Sequence, residues 1–206
     1  MLVRRLLLVM AALLLLTATV TACDSKTATK EDGDSSKDQK SSGVAPETKD
    51  WKLVKGDDGK VSIKVPQDWD VKTAKELNLG AGKLFAAFGP KDKNYNTNMQ
   101  VSKETLKGSD LTSYISQFEE NTREDPSTKE MKVIEEGSVK SDLGEAYRKS
   151  YSYTLEASGT TYDLRFDVFY LKKGDDYYVI QMVTTTNLYG SMKKIFDSSL
   201  TTLNIT

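Results

Sequence analysis

The sequence predicts an α+β domain: an antiparallel β-sheet flanked by helices, one from the middle of the chain and one from its end. Three observations lead there. From Met131 to Thr186, four runs of alternating apolar and polar residues are joined by short loops, which is the pattern of an antiparallel meander. Two segments instead carry apolar residues at helical spacing: Leu111, Tyr114, Ile115 and Phe118, then Leu188, Met192, Ile195, Phe196 and Leu200. The later strands have apolar groups on both sides, so the middle of the sheet is expected to be covered on both faces.

Taken in order, Trp51 and Leu53 are read as facing the same way on a short strand, followed by a hairpin turn at Gly56-Asp57-Asp58-Gly59. Val61, Ile63 and Val65 alternate with polar residues as a half-buried strand does, and Pro66, lacking an amide hydrogen, ends it. Trp69 and Val71 fold back onto the sheet edge. A bend at Gly80 and Gly82 leads to an apolar strand, 84–88, that Gly89-Pro90 is expected to close. A polar loop over 91–98 then precedes a strand through Met99 and Val101. The glycines near 80 do not form a phosphate loop: the longer loop and its Ser or Thr are missing, and a strand follows instead of a helix.

Ser109 or Asp110 is placed to cap the first helix, with Arg123 in its last turn and Pro126 beyond it. Asp142-Leu143-Gly144 turns the chain into a strand whose Tyr147, Tyr151, Tyr153 and Leu155 share a face. After Ser158-Gly159, the residues Tyr162, Leu164, Phe166, Val168 and Tyr170 share a face, with Phe169 and Leu171 opposite. The turn at 173–176 leads into the last long strand. Asn187 is then expected to cap the second helix, which Gly190 weakens by up to about 1 kcal/mol relative to alanine. Leu203 and Ile205 close the chain as a tail or short strand.

The first fifty residues carry the address. Arg4 and Arg5 form a basic head, the stretch 6–16 is apolar, and Val20-Thr21-Ala22-Cys23 follows, in the layout of a cleaved secretory signal. Ending on the chain's one cysteine, this segment resembles the lipobox of bacterial lipoproteins. The resemblance implies removal of residues 1–22, acylation of Cys23 with diacylglycerol, and a protein held at the extracytoplasmic face of the cell membrane through Cys23. Each buried methylene contributes about 0.8 kcal/mol, so two or three acyl chains anchor firmly without a membrane helix. Residues 23–50 are predicted to form a polar, disordered tether, since they cannot bury enough apolar surface to offset the entropy of ordering. Residues 51–206 form the domain. Glu31, Asp32, Asp34 and Asp38 lack the spacing of a calcium loop, and no metal or cofactor is expected.

Composition narrows the function. The chain has 29 basic and 30 acidic residues; without Arg4 and Arg5, 27 face 30, a formal charge of −3 that gives nucleic acid little to bind. The absence of histidine removes most catalytic triads and most zinc sites. There is no Gly-x-Ser-x-Gly elbow. Glu135-Glu136 and Asp175-Asp176 lie beside turns, as solvated carboxylates do. The ten tyrosines alternate with charged residues and are read mostly as packing, although some could form a contact face.

Two segments resemble the PsbP/Mog1-like family: Val61-x-Ile-x-Val-Pro-x-x-Trp69 after a hairpin, and the run 193–203, Lys-Lys-Ile-Phe-Asp-Ser-Ser-Leu-Thr-Thr-Leu, before a last apolar strand. The resemblance covers roughly 51–205. It implies an αβα sandwich around an antiparallel sheet, in a family whose members mostly bind or assist partner proteins. The expected function is therefore a non-catalytic binding or assembly-accessory factor of the bacterial envelope with a protein partner. A small-ligand carrier or sensor is the alternative, and a hydrolase is a more distant one.

Overall fold

The computed structural model describes residues 46–106 and 110–206. Residues 1–22, Cys23, the four acidic residues of the tail, most of the 23–50 segment and Ser109 lie outside the described residues. The chain runs β1 (Lys52–Lys55), β2 (Val61–Val65), β3 (Asp70–Thr73), β4 (Lys83–Asp92), β5 (Tyr95–Thr105), α1 (Leu111–Glu124), β6 (Thr128–Val139), β7 (Ala146–Ala157), β8 (Thr160–Lys173), β9 (Asp176–Thr185), α2 (Tyr189–Leu200) and β10 (Asn204–Ile205). All strand pairings are antiparallel.

The strands form two sheets, where the sequence suggested one. A seven-stranded sheet has the order β3-β4-β5-β9-β8-β7-β6, and a separate three-stranded sheet has the order β1-β2-β10. Alternation in β2 announces one buried face without saying what covers it. The cover is the large sheet, and the free side of β2 is taken by β10 from the far end of the chain, with Ile205 opposite Val61.

Alternate residues of β8 and β9 enter different cores. Phe169, Leu171, Tyr178, Ile180 and Met182 pack with Val61, Ile63 and Val65 of the small sheet and with Met192 and Phe196 of α2. Leu164, Phe166, Val168, Tyr170, Val179 and Val183 form the other core with Ile115 of α1, and Leu111, Tyr114 and Phe118 pack against it. Each fully buried Leu, Ile, Phe or Met contributes roughly 1.5–3 kcal/mol, so sheet-to-cover packing dominates the fold. Helix α1 forms where its stripe meets this surface. The Oδ1 of Asp110, an extended N-cap residue, accepts the Ser113 amide hydrogen at 2.7 Å.

Three local expectations need correction. In β1 the inward residue is Val54, while Leu53 is 55% exposed; Trp51 precedes the strand, so the alternation starts one residue later. Strand β4 does not end at Gly89-Pro90. It continues to Asp92 through a register shift between Phe88 and Lys91, because a bulge lets the sheet carry a residue with no amide to donate. Gly89 is needed there for closeness: a Cβ on it would lie 2.5 Å from Cε2 of Trp69, whose ring covers this point. Finally, Asn187 does not cap α2. Leu188 holds the N-cap position without a side-chain hydrogen bond, and the Asn187 amide donates elsewhere.

Candidate functional site

That donation leads to a cleft of about 120 Å³ lined by Asp92, Lys93, Tyr162, Asp163, Thr185, Thr186 and Asn187. Four parts of the chain meet here: the end of β4, the turn into β5, the start of β8, and the link from β9 to α2. Asp92 Oδ2 accepts from Thr185 Oγ1 at 2.7 Å and from Asn187 Nδ2 at 3.1 Å. Asp163 Oδ1 accepts from Thr154 Oγ1 at 3.1 Å, and its backbone carbonyl accepts from the Thr186 amide at 2.8 Å. Each aspartate keeps a carboxylate oxygen free of these bonds. Neither has an ion pair among the described residues, although Lys93 borders the same cleft.

The local sequence builds this place against ordinary preference. Lys93 and Asn94 both adopt positive φ, 49° and 67°, giving the two-residue reversal that matches the twist of a hairpin. The turn brings Tyr95 in, and its ring tilts against Tyr162 with centroids 5.5 Å apart. Burial pushes the Tyr95 hydroxyl well above the usual tyrosine range, with the Tyr153 charge adding to it, so Tyr95 is a neutral support behind the cleft. The sequence pattern reads Tyr162 only as a strand-face residue and Asn187 only as a cap, and takes 91–98 for a plain polar loop. The available signal was Asn94 next to the start of an alternating run.

A second exposed feature is the edge strand β6. It ends the order of the large sheet and presents Val133, Ile134 and Val139, which are 38%, 47% and 38% exposed. Register shifts at Lys129/Lys132 and Val133/Glu135 bulge it twice. Together with Lys129, Glu130, Lys132, Glu135 and Glu136, these bulges guard the strand against indiscriminate pairing. Contacts at this edge would therefore run through side chains.

Lys149 holds the edge in place. Its Nζ lies 2.6 Å from Glu119 of α1 and 2.6 Å from Glu136 of β6. Tyr151 donates to Glu119 at 3.0 Å and Tyr147 to Glu136 at 3.1 Å. Burial works to raise the Glu119 carboxyl, but hydrogen bonds from Lys149 and Tyr151 outweigh it and hold the group below the usual range. Hydrogen bonds from Lys149 and Tyr147 also hold Glu136 low. Burial opposes the charge on Lys149, yet its two carboxylate partners raise it above an ordinary lysine.

The tyrosines are mainly structural. Tyr151, Tyr170, Tyr178 and Tyr95 are at most 5% exposed, and the exposed large apolar side chains of the described residues are aliphatic. Cys23, the one site residue expected from the sequence, lies outside the described residues. Among the described residues no helix is long and apolar enough to cross a membrane.

With two antiparallel sheets, two helices and the small sheet closed by β10, the domain has a PsbP-like fold. The solution structure of cyanobacterial PsbP (CyanoP) from Synechocystis sp. PCC 6803 matches it with a TM-score of 0.54 and 12% identity, covering 82% of this chain and 99% of that one. The crystal structure of LpqN, involved in cell envelope biogenesis of Mycobacterium tuberculosis, aligns with a TM-score of 0.48 and 11% identity over 75% of this chain and 90% of that one. No protein-family model matches the sequence, and no curated protein sequence matches it.

Proposed function

We propose that this chain is a lipid-anchored protein of the extracytoplasmic face of a bacterial membrane, and that its domain binds another envelope protein without catalysing a reaction. The observation that carries the binding role is the edge strand β6, with aliphatic Val133, Ile134 and Val139 exposed on a strand fixed by Lys149. The anchor rests on the leader and Cys23. Tethered partners meet at the high effective concentration that confinement supplies, so a modest contact area suffices. A small-ligand carrier is the alternative reading; the cleft itself, at about 120 Å³, is smaller than the about 300–1,000 Å³ of most ligand pockets.

Two measurements test this. Cys23→Ser should move the protein from the membrane fraction to the soluble one, and retention would overturn the anchor. A photo-crosslinking residue at Ile134 should give one discrete adduct in intact cells, while one at Leu53, which is also exposed, on the small sheet, should not. No adduct at Ile134, or the same adducts from both positions, would overturn the binding role.

A further inference from the structure

At about 120 Å³ the cleft is small, but its chemistry is specific. We infer that the cleft bounded by Asp92, Tyr162, Asp163, Thr185 and Asn187 is a recognition pocket for a cationic side-chain head group, guanidinium or ammonium, presented by a bound protein. The partner is the one envisaged under the proposed function, so this inference rests on that reading and adds the chemistry of the contact.

Two carboxylates and one lysine border the cavity, which leaves it net negative. Lys93, the one cation there, makes no ion pair with either aspartate, so the negative charge is not consumed internally. Asp92 is fixed by a buried hydroxyl, that of Thr185 at 4% exposure, and by the Asn187 amide. Both bonds go to Oδ2, which leaves Oδ1 free to accept from a donor entering the cleft. The ring of Tyr162, braced by Tyr95, supplies the wall on which a planar cation is favoured. Guanidinium suits the arrangement best, since its fixed fork of donors matches a carboxylate and its planar face is favoured on a ring.

Backbone geometry points to the same place. The strand that runs through a proline, the turn with two non-glycine residues at positive φ, and the asparagine that leaves its helix cap all converge on these few residues.

The test uses the full chain and small probes, so it reads the cleft without the partner. Titration with N-acetyl-arginine amide, followed by NMR, should shift the amide signals of Thr185, Thr186 and Asn187, whereas the uncharged isostere N-acetyl-citrulline amide should not. N-acetyl-lysine amide distinguishes the two head groups: shifts at the same amides, weaker than with arginine, are expected. Asp163→Asn, which keeps the acceptor for Thr154, should weaken arginine binding about two- to fivefold, the range of an exposed ion pair. Lys93→Gln should tighten it by a similar factor, a gain that a damaged fold would not give. Equal shifts with citrulline, no effect of either variant, or displacement of arginine by calcium at the same amides would overturn the inference. Failure here together with a discrete Ile134 adduct in cells would remove the cleft and leave the binding role standing; loss of the adduct with arginine still bound would do the reverse.

Discussion

Arg148 and Lys149 are consecutive residues of β7, and each ties a different helix to the sheet. Arg148 Nη1 donates to Asp197 of α2 at 2.7 Å, and its Nη2 to Asp167 of β8 at 3.2 Å. Lys149 reaches Glu119 of α1 at 2.6 Å on the other face. A strand points successive side chains to opposite faces, so two adjacent cations can serve both layers. Tyr189 also donates to Asp167 at 3.2 Å, and Lys193 lies 2.8 Å from Asp197. The apolar cores explain why the layers associate; these ion pairs fix how they are aligned.

The two clamps should differ in strength. The Asp167 side chain has no accessible surface, whereas Glu119 is 13% and Glu136 50% exposed. Removing Arg148 leaves a buried carboxylate with Tyr189 as its remaining donor, so Arg148→Met should cost about 3–5 kcal/mol. Lys149→Met should cost about 2 kcal/mol, because its partners can be partly solvated. Adding Asp167→Asn to Arg148→Met should recover part of the loss by removing the stranded charge. Urea unfolding of the three variants checks the order; equal losses at Arg148 and Lys149 would contradict it.

The Lys149 cluster also sets a pH window. Glu119 and Glu136 have folded-state values held below the ordinary 4.5. Their stabilisation is therefore fully present above about 4.5 and is lost as the pH falls through the lowered values. Lys149 is raised above the ordinary 10.5, so its share is complete below 10.5 and is lost only as the pH rises through the raised value. Stability should be flat near neutrality and fall in acid. Glu136→Gln should flatten the acid limb in urea midpoints measured from pH 3 to 7, and an unchanged limb would mean that Glu136 does not contribute.

Much of the domain was legible because burial writes itself into alternation. Alternation places the tyrosines and aliphatics of β7 and β8 on the correct faces and Phe169 and Leu171 on the opposite one, and Asp110 is one of the two residues the sequence offers as the helix cap. The misses have a common physical origin. The side on which a short strand packs depends on a partner distant in sequence, so Leu53 and Val54 were exchanged and the separate small sheet was not foreseen. Proline at 90 and asparagine at 187 obey strong local preferences when alone. Here a bulge and the carboxylate of Asp92 override them, and neither is visible from nearest neighbours. The cleft was illegible for that reason.

Helix α1 offers a test of a local contribution. Asp110 caps it by accepting the Ser113 amide hydrogen, and that bond together with the Ser113 side chain holds the Asp110 carboxyl below its usual range. Asp110→Ala should cost about 1 kcal/mol and Asp110→Asn much less, since asparagine keeps the acceptor. Thermal unfolding near neutral pH separates them; equal losses would mean that the charge, and not the cap, is what matters.

Gly89 gives the sharpest steric prediction. It lies on β4 just before Pro90, where the indole of Trp69 crosses the strand, and a methyl group there would meet Cε2 at 2.5 Å and Cζ2 at 2.7 Å. Trp69 is 2% exposed and belongs to the core shared with the small sheet, so the ring cannot swing aside without opening that core. Gly89→Ala should therefore cost about 1–3 kcal/mol as an overpacked site, even though alanine is ordinarily the better residue in a strand interior. In a Trp51→Phe background, the emission of Trp69 alone reports the ring, and it should move to longer wavelength as water reaches the indole. A Gly89→Ala protein with unchanged stability and emission would show that the ring is not held against this strand.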